Sequence, residues 1–104
     1  MSVTVSFVTA GGANSAPGIG IKRVRVKEVV SVPGTTTATA IDGEMIVIGN
    51  GEASMVAVAI GTAPDAAATA ENGAVTTAGY PVGAGQVSDP FIGVAGAKVN
   101  IKAA

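Results

Sequence analysis

The chain has 104 residues, 48% of them apolar and 12% charged, with a formal net charge of −1. That is one domain's length of chain, too apolar for intrinsic disorder and too nearly neutral for its overall field to draw in nucleic acid. With no His and no Cys there can be no Ser-His-Asp triad, no cysteine nucleophile, no ordinary zinc, haem or iron–sulfur site and no disulfide, so the expectation is a non-enzymatic protein without a cofactor.

The residues present point to strands and turns. The chain carries 20 Ala, 16 Val, 8 Ile and 10 Thr, hence 34 β-branched residues, beside 15 Gly and 5 Pro. β-Branched side chains suit pleated surfaces, and Gly and Pro supply tight turns. Val3, Val5 and Phe7 alternate with Ser2, Thr4 and Ser6 as a strand does, without the basic region or the continuous apolar stretch of a signal peptide. The most apolar run, 54–60, falls far short of the roughly 20 residues a membrane-spanning helix needs. The expectation is a chain made in a cytoplasm, without a membrane partner.

Residues 9–20 form a small-residue loop, so that 1–20 reads as a strand plus a flexible N-terminal arm and 21–104 as the domain proper. A clear strand follows over 21–32, with Val24, Val26, Val30 and Val32 on one parity and Arg23, Arg25, Lys27 and Ser31 on the other. Glu28 breaks the apolar row, which predicts a bulge or strand end there. Pro33-Gly34 turns the chain, and Thr35 to Ile41 reads as a Thr/Ala strand. Asp42-Gly43 and Asn50-Gly51 are tight hairpin pairs flanking an apolar strand over 44–49, of the kind found at the centre of a sheet. Residues 55–60 form a strand with Val56, Val58 and Ile60 on one face and Ala57 and Ala59 on the other. Residues 64–71 fit either one short helical turn or a loop. Strands over 74–78 and 80–82, a turn at 83–86, a strand over 87–94 whose Pro90 fits an edge, a turn at Ala95-Gly96 and a last strand over 97–102 complete the chain. In that last strand Val99 and Ile101 point inward, and Lys98, Asn100 and Lys102 outward. About eight short strands with regularly spaced turns predict an all-β fold, a single antiparallel β-sandwich of jelly-roll or Ig-like type. Only 30 residues are large and apolar, a thin core that self-association would reinforce.

The candidate sites are few. Lys22, Arg23, Arg25 and Lys27 are four of the six basic residues. With Arg23, Arg25 and Lys27 about 6.6–6.8 Å apart on one strand face, they form either a docking stripe for an acidic surface or a solvated face that discourages edge aggregation. No aromatic residue interleaves with them, which argues against nucleic acid. Asp42, Glu44 and Glu52 flank a predicted hairpin and could converge at one end of the sheet, as a hard cation would need, but they lack any calcium-loop spacing; turn chemistry explains them, and a glycosidase pair would want aromatic platforms the chain lacks. Gly18-Ile-Gly20 and Gly83-Ala-Gly85 lack the context of phosphate loops and read as turns. Tyr80 and Phe91 read as core residues that could alternatively anchor an interface.

From Thr37 onward the chain runs Thr-Ala-Thr-Ala, Gly-Glu-Met-Ile-Val-Ile-Gly-Asn-Gly, Val-Ala-Val-Ala-Ile-Gly-Thr-Ala-Pro-Asp, Tyr-Pro-Val-Gly-Ala-Gly-Gln and Gly-Ala-Lys-Val-Asn-Ile-Lys-Ala. In style and strand order residues 37–104 resemble the small Ala/Gly/Thr/Val-rich β-sandwich proteins of tailed bacteriophage virions, of capsid decoration, head-fibre and neck type. The resemblance implies a structural virion protein, a homo-oligomer and often a trimer, bound to the outside of a capsid lattice through the major capsid protein or another virion protein. It carries over no catalytic residue. The competing expectation is a small carbohydrate- or protein-binding module of adhesin type, which the absence of Trp and the single Tyr disfavour.

Overall fold

The computed structural model describes residues 2–9, 23–64 and 75–104. Within them the chain forms β1 (Val3–Thr9), β2 (Arg23–Val30), β3 (Gly34–Thr35), β4 (Met45–Asn50), β5 (Val56–Gly61), β6 (Val75–Val82), β7 (Phe91–Ile92) and β8 (Lys98–Ala103). No helix occurs among the described residues, and the ambiguous stretch over 65–71 lies outside them. The strands make two four-stranded sheets, β2-β1-β4-β7 and β3-β8-β5-β6, with every pairing antiparallel. The first strand is therefore no appendage: β1 lies between β2 and β4 in the first sheet.

The pairings nest. β5 pairs with β6, β4 with β7 and β3 with β8, so the chain from β3 to β8 is one long hairpin. Its successive rungs fall in the second, first and second sheets. β2 then returns to the first sheet and takes β1 as its partner. This winding gives each sheet one buried face. Val3, Val5 and Phe7 of β1, Ile46 and Ile48 of β4, Val56, Val58 and Ile60 of β5, and Val99 and Ile101 of β8 form one buried cluster drawn from both sheets. These are the inward parities of period-2 strands, as the sequence predicts. β4 is a central strand, also as expected.

Several expectations are corrected. The irregularity in β2 is at Arg25, not Glu28. Phe7 pairs with Val26 and Val8 with Val24, leaving Arg25 as the additional residue, while Glu28 sits in regular register opposite Val5. Thr35 to Ile41 is not a full strand. Thr36 and Ala40 still donate their amides to the Val99 and Ala97 carbonyls, at 2.9 and 2.8 Å. Between them the amides of Thr37 and Ala38 turn away and donate to the Glu28 carboxylate. Neither Asp42-Gly43 nor Asn50-Gly51 closes a hairpin, because the strands they separate belong to different sheets. The first is still a turn: the Glu44 amide donates to Ile41 O at 3.0 Å, and Gly43 takes the positive φ of +80° that a side chain would resist. The two expected segments 74–78 and 80–82 are, over the described residues 75–82, one strand, β6, whose register slips around Gly79, itself at φ +63°. Of 87–94 only Phe91–Ile92 is a strand, at the sheet edge that Pro90 suggests, with a single bridge from Val87 to Gly49. Asn100 keeps the parity opposite to Val99 and Ile101, as expected, but it is buried there, its amide donating to Gly34 O and Thr35 Oγ1.

Gly93 shows how close the packing is where the first sheet meets the loop before β4. A Cβ built there would lie 2.8 Å from Ala40 Cβ, 3.0 Å from Glu44 O and 3.2 Å from Ile46 Cδ1. Gly93→Ala is expected to cost about 2 kcal/mol, the usual penalty for overpacking; chemical denaturation measures it, and an unchanged midpoint would refute it.

Candidate functional site

The outward residues of the first sheet follow from the same alternation. Register places Val24, Val8, Met45 and Ile92 in one row across the four strands. The next row runs Lys27, Ser6 and Val47, and the third Val29, Thr4, Gly49 and Val87. Exposure is distributed unevenly over this face. Val24 is 54% exposed, Val29 64%, Val87 70% and Ile92 70%. These four are the majority of the seven large apolar residues exposed among the described residues, and they occupy the four corners of one sheet face. Between these corners Val8 is buried and Met45, Ser6, Val47, Thr4 and Gly49 are half-buried, so the exposed apolar surface of this face lies at its rim. The face carries Lys27 on its β2 side, and the exposed Asp89-Pro90 segment lies between Val87 and Ile92 on its β7 side.

The basic residues do not form the single-faced stripe that strict alternation predicts. The bulge at Arg25 puts Val24 on the outer row opposite Val8. Arg25 is spent within the molecule: Nε donates to Glu44 Oε2 at 2.7 Å, and Nη2 donates to Glu44 Oε1 at 2.8 Å and to Thr39 O at 2.7 Å. Its guanidinium carbon also lies 5.9 Å from the centre of the Phe7 ring. The hydrogen bond to Glu44 leads the causes that raise the Arg25 pKa above its ordinary value. Lys27 remains exposed on the outer face. Lys22 and the side chain of Arg23 lie outside the described residues.

Glu28 has a clear structural task. Its carboxylate accepts from the Thr37 amide and hydroxyl and from the Ala38 amide, tying β2 to the loop that leaves β3. Partial burial pushes the Glu28 carboxyl up, but the Ala38 and Thr37 donors outweigh it and hold the group below its ordinary value. Folding lowers this pKa, so the stabilisation is complete above the ordinary carboxyl value and disappears as pH falls through the lowered one. Glu28→Gln is expected to cost about 1 kcal/mol near neutrality, a modest figure because the site is solvent-screened. The gap between variant and wild type should narrow as pH falls below the ordinary carboxyl value and close once it has passed the lowered one. Thermal denaturation against pH measures this, and a gap that stays constant down to acid would refute the assignment.

The acidic residues do not converge. Glu44 is buried and belongs to Arg25 and to the Ile41 amide, and no group of three potential metal ligands occurs among the described residues. Tyr80 and Phe91 meet edge to face with ring centres 4.9 Å apart and pack against the core cluster. They join β6 of one sheet to β7 of the other while staying half-exposed. An open depression of about 280 Å³ is lined by Val32, Glu52, Ser54 and Met55 among others.

The sequence reading misses three features. These are the outer apolar face, the Arg25–Glu44 pair and the buried amide of Asn50. The first depends on cross-strand register and the second on a bulge, neither of which a single sequence prints. The third did carry a signal, since an Asn closing an apolar strand before Gly is placed to bond nearby backbone. No family model, curated protein or solved structure matches the chain.

Proposed function

We propose that this chain is a non-enzymatic structural protein of a tailed-phage virion, a β-sandwich that binds other protein surfaces through the outer face of its first sheet. The observation that carries the reading is the set of four exposed apolar residues, Val24, Val29, Val87 and Ile92, at the corners of that face. The virion setting rests on the resemblance of residues 37–104 described above, with the major capsid protein or another virion protein as partner and the assembled particle as the location. The sandwich reading draws support from the single core shared by the two sheets. Within it, the nested pairs β5–β6, β4–β7 and β3–β8, falling in alternate sheets, favour a jelly roll over an Ig-like order. Jelly rolls build viral capsid proteins and lectins alike, so the fold by itself does not choose between them. Against the sugar-binding alternative, Tyr80 and Phe91 engage each other and the core instead of offering an open platform.

Mass spectrometry of purified virions of the phage encoding this chain should recover it in fixed ratio to the major capsid protein. Flanking genes for portal, capsid and tail proteins should accompany it. Absence of the chain from such particles, or a clear hit on a glycan array, would overturn the proposal.

A further inference from the structure

We propose that the outer face of the first sheet is occupied by the same face of a second copy of this chain, in a two-fold pair whose axis lies between the sheets and parallel to the strands. The inference rests on reading that face as a protein-contact surface, and it concerns which surface covers it. A rotation about this axis lays β2 of one copy over β7 of the other and β1 over β4. Each apolar corner then meets an apolar corner, Val24 on Ile92 and Val29 on Val87, by the rows that register defines. In the middle of the face the sizes alternate: Thr4 falls on Gly49 and Ser6 on Val47. Isologous contacts require such self-complementarity, in which i meets j and j meets i. Aligned packing of twisted sheets, at about −30° and roughly 10 Å apart, keeps such rows facing each other.

Charge decides between the two possible in-plane axes. Lys27 stands in the middle row at the β2 edge, and Asp89 is exposed on the β7 side between the two apolar corners. The axis parallel to the strands brings Lys27 of each copy to the Asp89 side of the other, giving two opposite-charge contacts. The perpendicular axis would stack Lys27 on Lys27, which is disfavoured. Four strands about 4.8 Å apart and three rows about 6.8 Å apart give a face of roughly 300–400 Å² per copy. That is below the size of a standard stable interface, so the pair should be reversible and concentration-dependent.

Sedimentation velocity of the full chain over about 1–500 µM tests this, with circular dichroism confirming that each variant folds. Wild type should pass from monomer to dimer. Lys27→Asp and Asp89→Lys, both at exposed positions, should each weaken association about tenfold by setting like charges opposite each other. The double variant, and an equimolar mixture of the two single variants, should recover it, because each restores opposite charges across the axis. A chain that stays monomeric throughout, a dimer indifferent to both single changes, or a double variant that fails to recover would each overturn the pair. A monomer that nevertheless co-purifies with virions, and loses that association on Val29→Lys, would leave the contact-face reading standing and assign the face to a capsid partner. A charge-swappable dimer that is absent from virions would do the reverse.

Discussion

Asn50→Asp should destabilise the fold by about 4 kcal/mol or more, although it changes one side-chain atom and no volume. Asn50 closes β4 and is buried. Its Nδ2 donates to three carbonyls, Ser54 O at 2.9 Å, Val82 O at 3.0 Å and Gly83 O at 3.1 Å, and its Oδ1 accepts the Glu52 amide at 2.9 Å. The backbone around it is bound as well, its amide donating to Gln86 O and its carbonyl accepting the Gly85 amide. One side chain thus ties the end of β4, in the first sheet, to the end of β6, in the second, and to the loop before β5. In the Asp variant an acceptor oxygen faces three carbonyl oxygens, and its charge is held out of water. The group must take up a proton, and then still offers only one donor where the amide offered two. Asn50→Ala should cost less, about 2–3 kcal/mol. It orphans the same backbone groups without adding a charge, and the small cavity can admit water. Urea denaturation of the three proteins near neutral pH gives the order directly. An Asp variant as stable as the Ala variant would mean that the pocket is wetter than its burial indicates.

Asn50 also shows where sequence reading stops. The pair Asn50-Gly51 is a strong local signal for a tight turn, and local chemistry favours a hairpin there. The turn-like bend is real, but the partner strand is set by which sheet needs a rung, a non-local matter. The same holds for Asp42-Gly43, where the positive φ of Gly43 was legible and the change of sheet was not. By contrast, Val3, Val5 and Phe7 announce their burial by period alone, as do Ile46 and Ile48, because alternation against a single core is a one-dimensional property. Glu28 lies between. Its break in an apolar row is plain in the sequence, but two devices could account for it, a backbone bulge or an inward carboxylate with donors to meet it. The donors come from Thr37 and Ala38, whose departure from the strand pattern no propensity reports. The outer face was least legible of all. Val24 shares parity with Val26 in the sequence, and only the bulge at Arg25 turns it outward to complete a row with Val8, Met45 and Ile92.

That bulge also delivers Arg25 to Glu44, and breaking this pair should have strongly unequal effects depending on which partner is removed. The Arg25 side chain is 33% exposed and that of Glu44 1%. Glu44→Ala loses a bidentate partner and leaves the Ile41 amide without its acceptor, for a cost of about 3 kcal/mol. The guanidinium left behind can turn to water and still reach Thr39 O. Arg25→Met instead strands a carboxylate in a site that water does not reach, and it should be the more damaging of the two. It should also carry a signature that a packing defect lacks. In the variant, burial without a countercharge raises the Glu44 pKa above its unfolded value. The resulting penalty is full at high pH and is relieved as pH falls through that raised value, so the variant should gain stability relative to wild type on mild acidification. Placing Glu44→Gln on the Arg25→Met background should remove the pH dependence and recover part of the loss, since the neutral amide need not be ionised. Thermal denaturation of the single and double variants between about pH 5 and 8 measures all of this at once. If Arg25→Met shows the same pH profile as wild type, the Glu44 carboxylate is hydrated and the bidentate pair is a surface contact of little weight. If the profile inverts and Glu44→Gln cancels it, the charge pair is what holds the end of β4 against the bulge of β2.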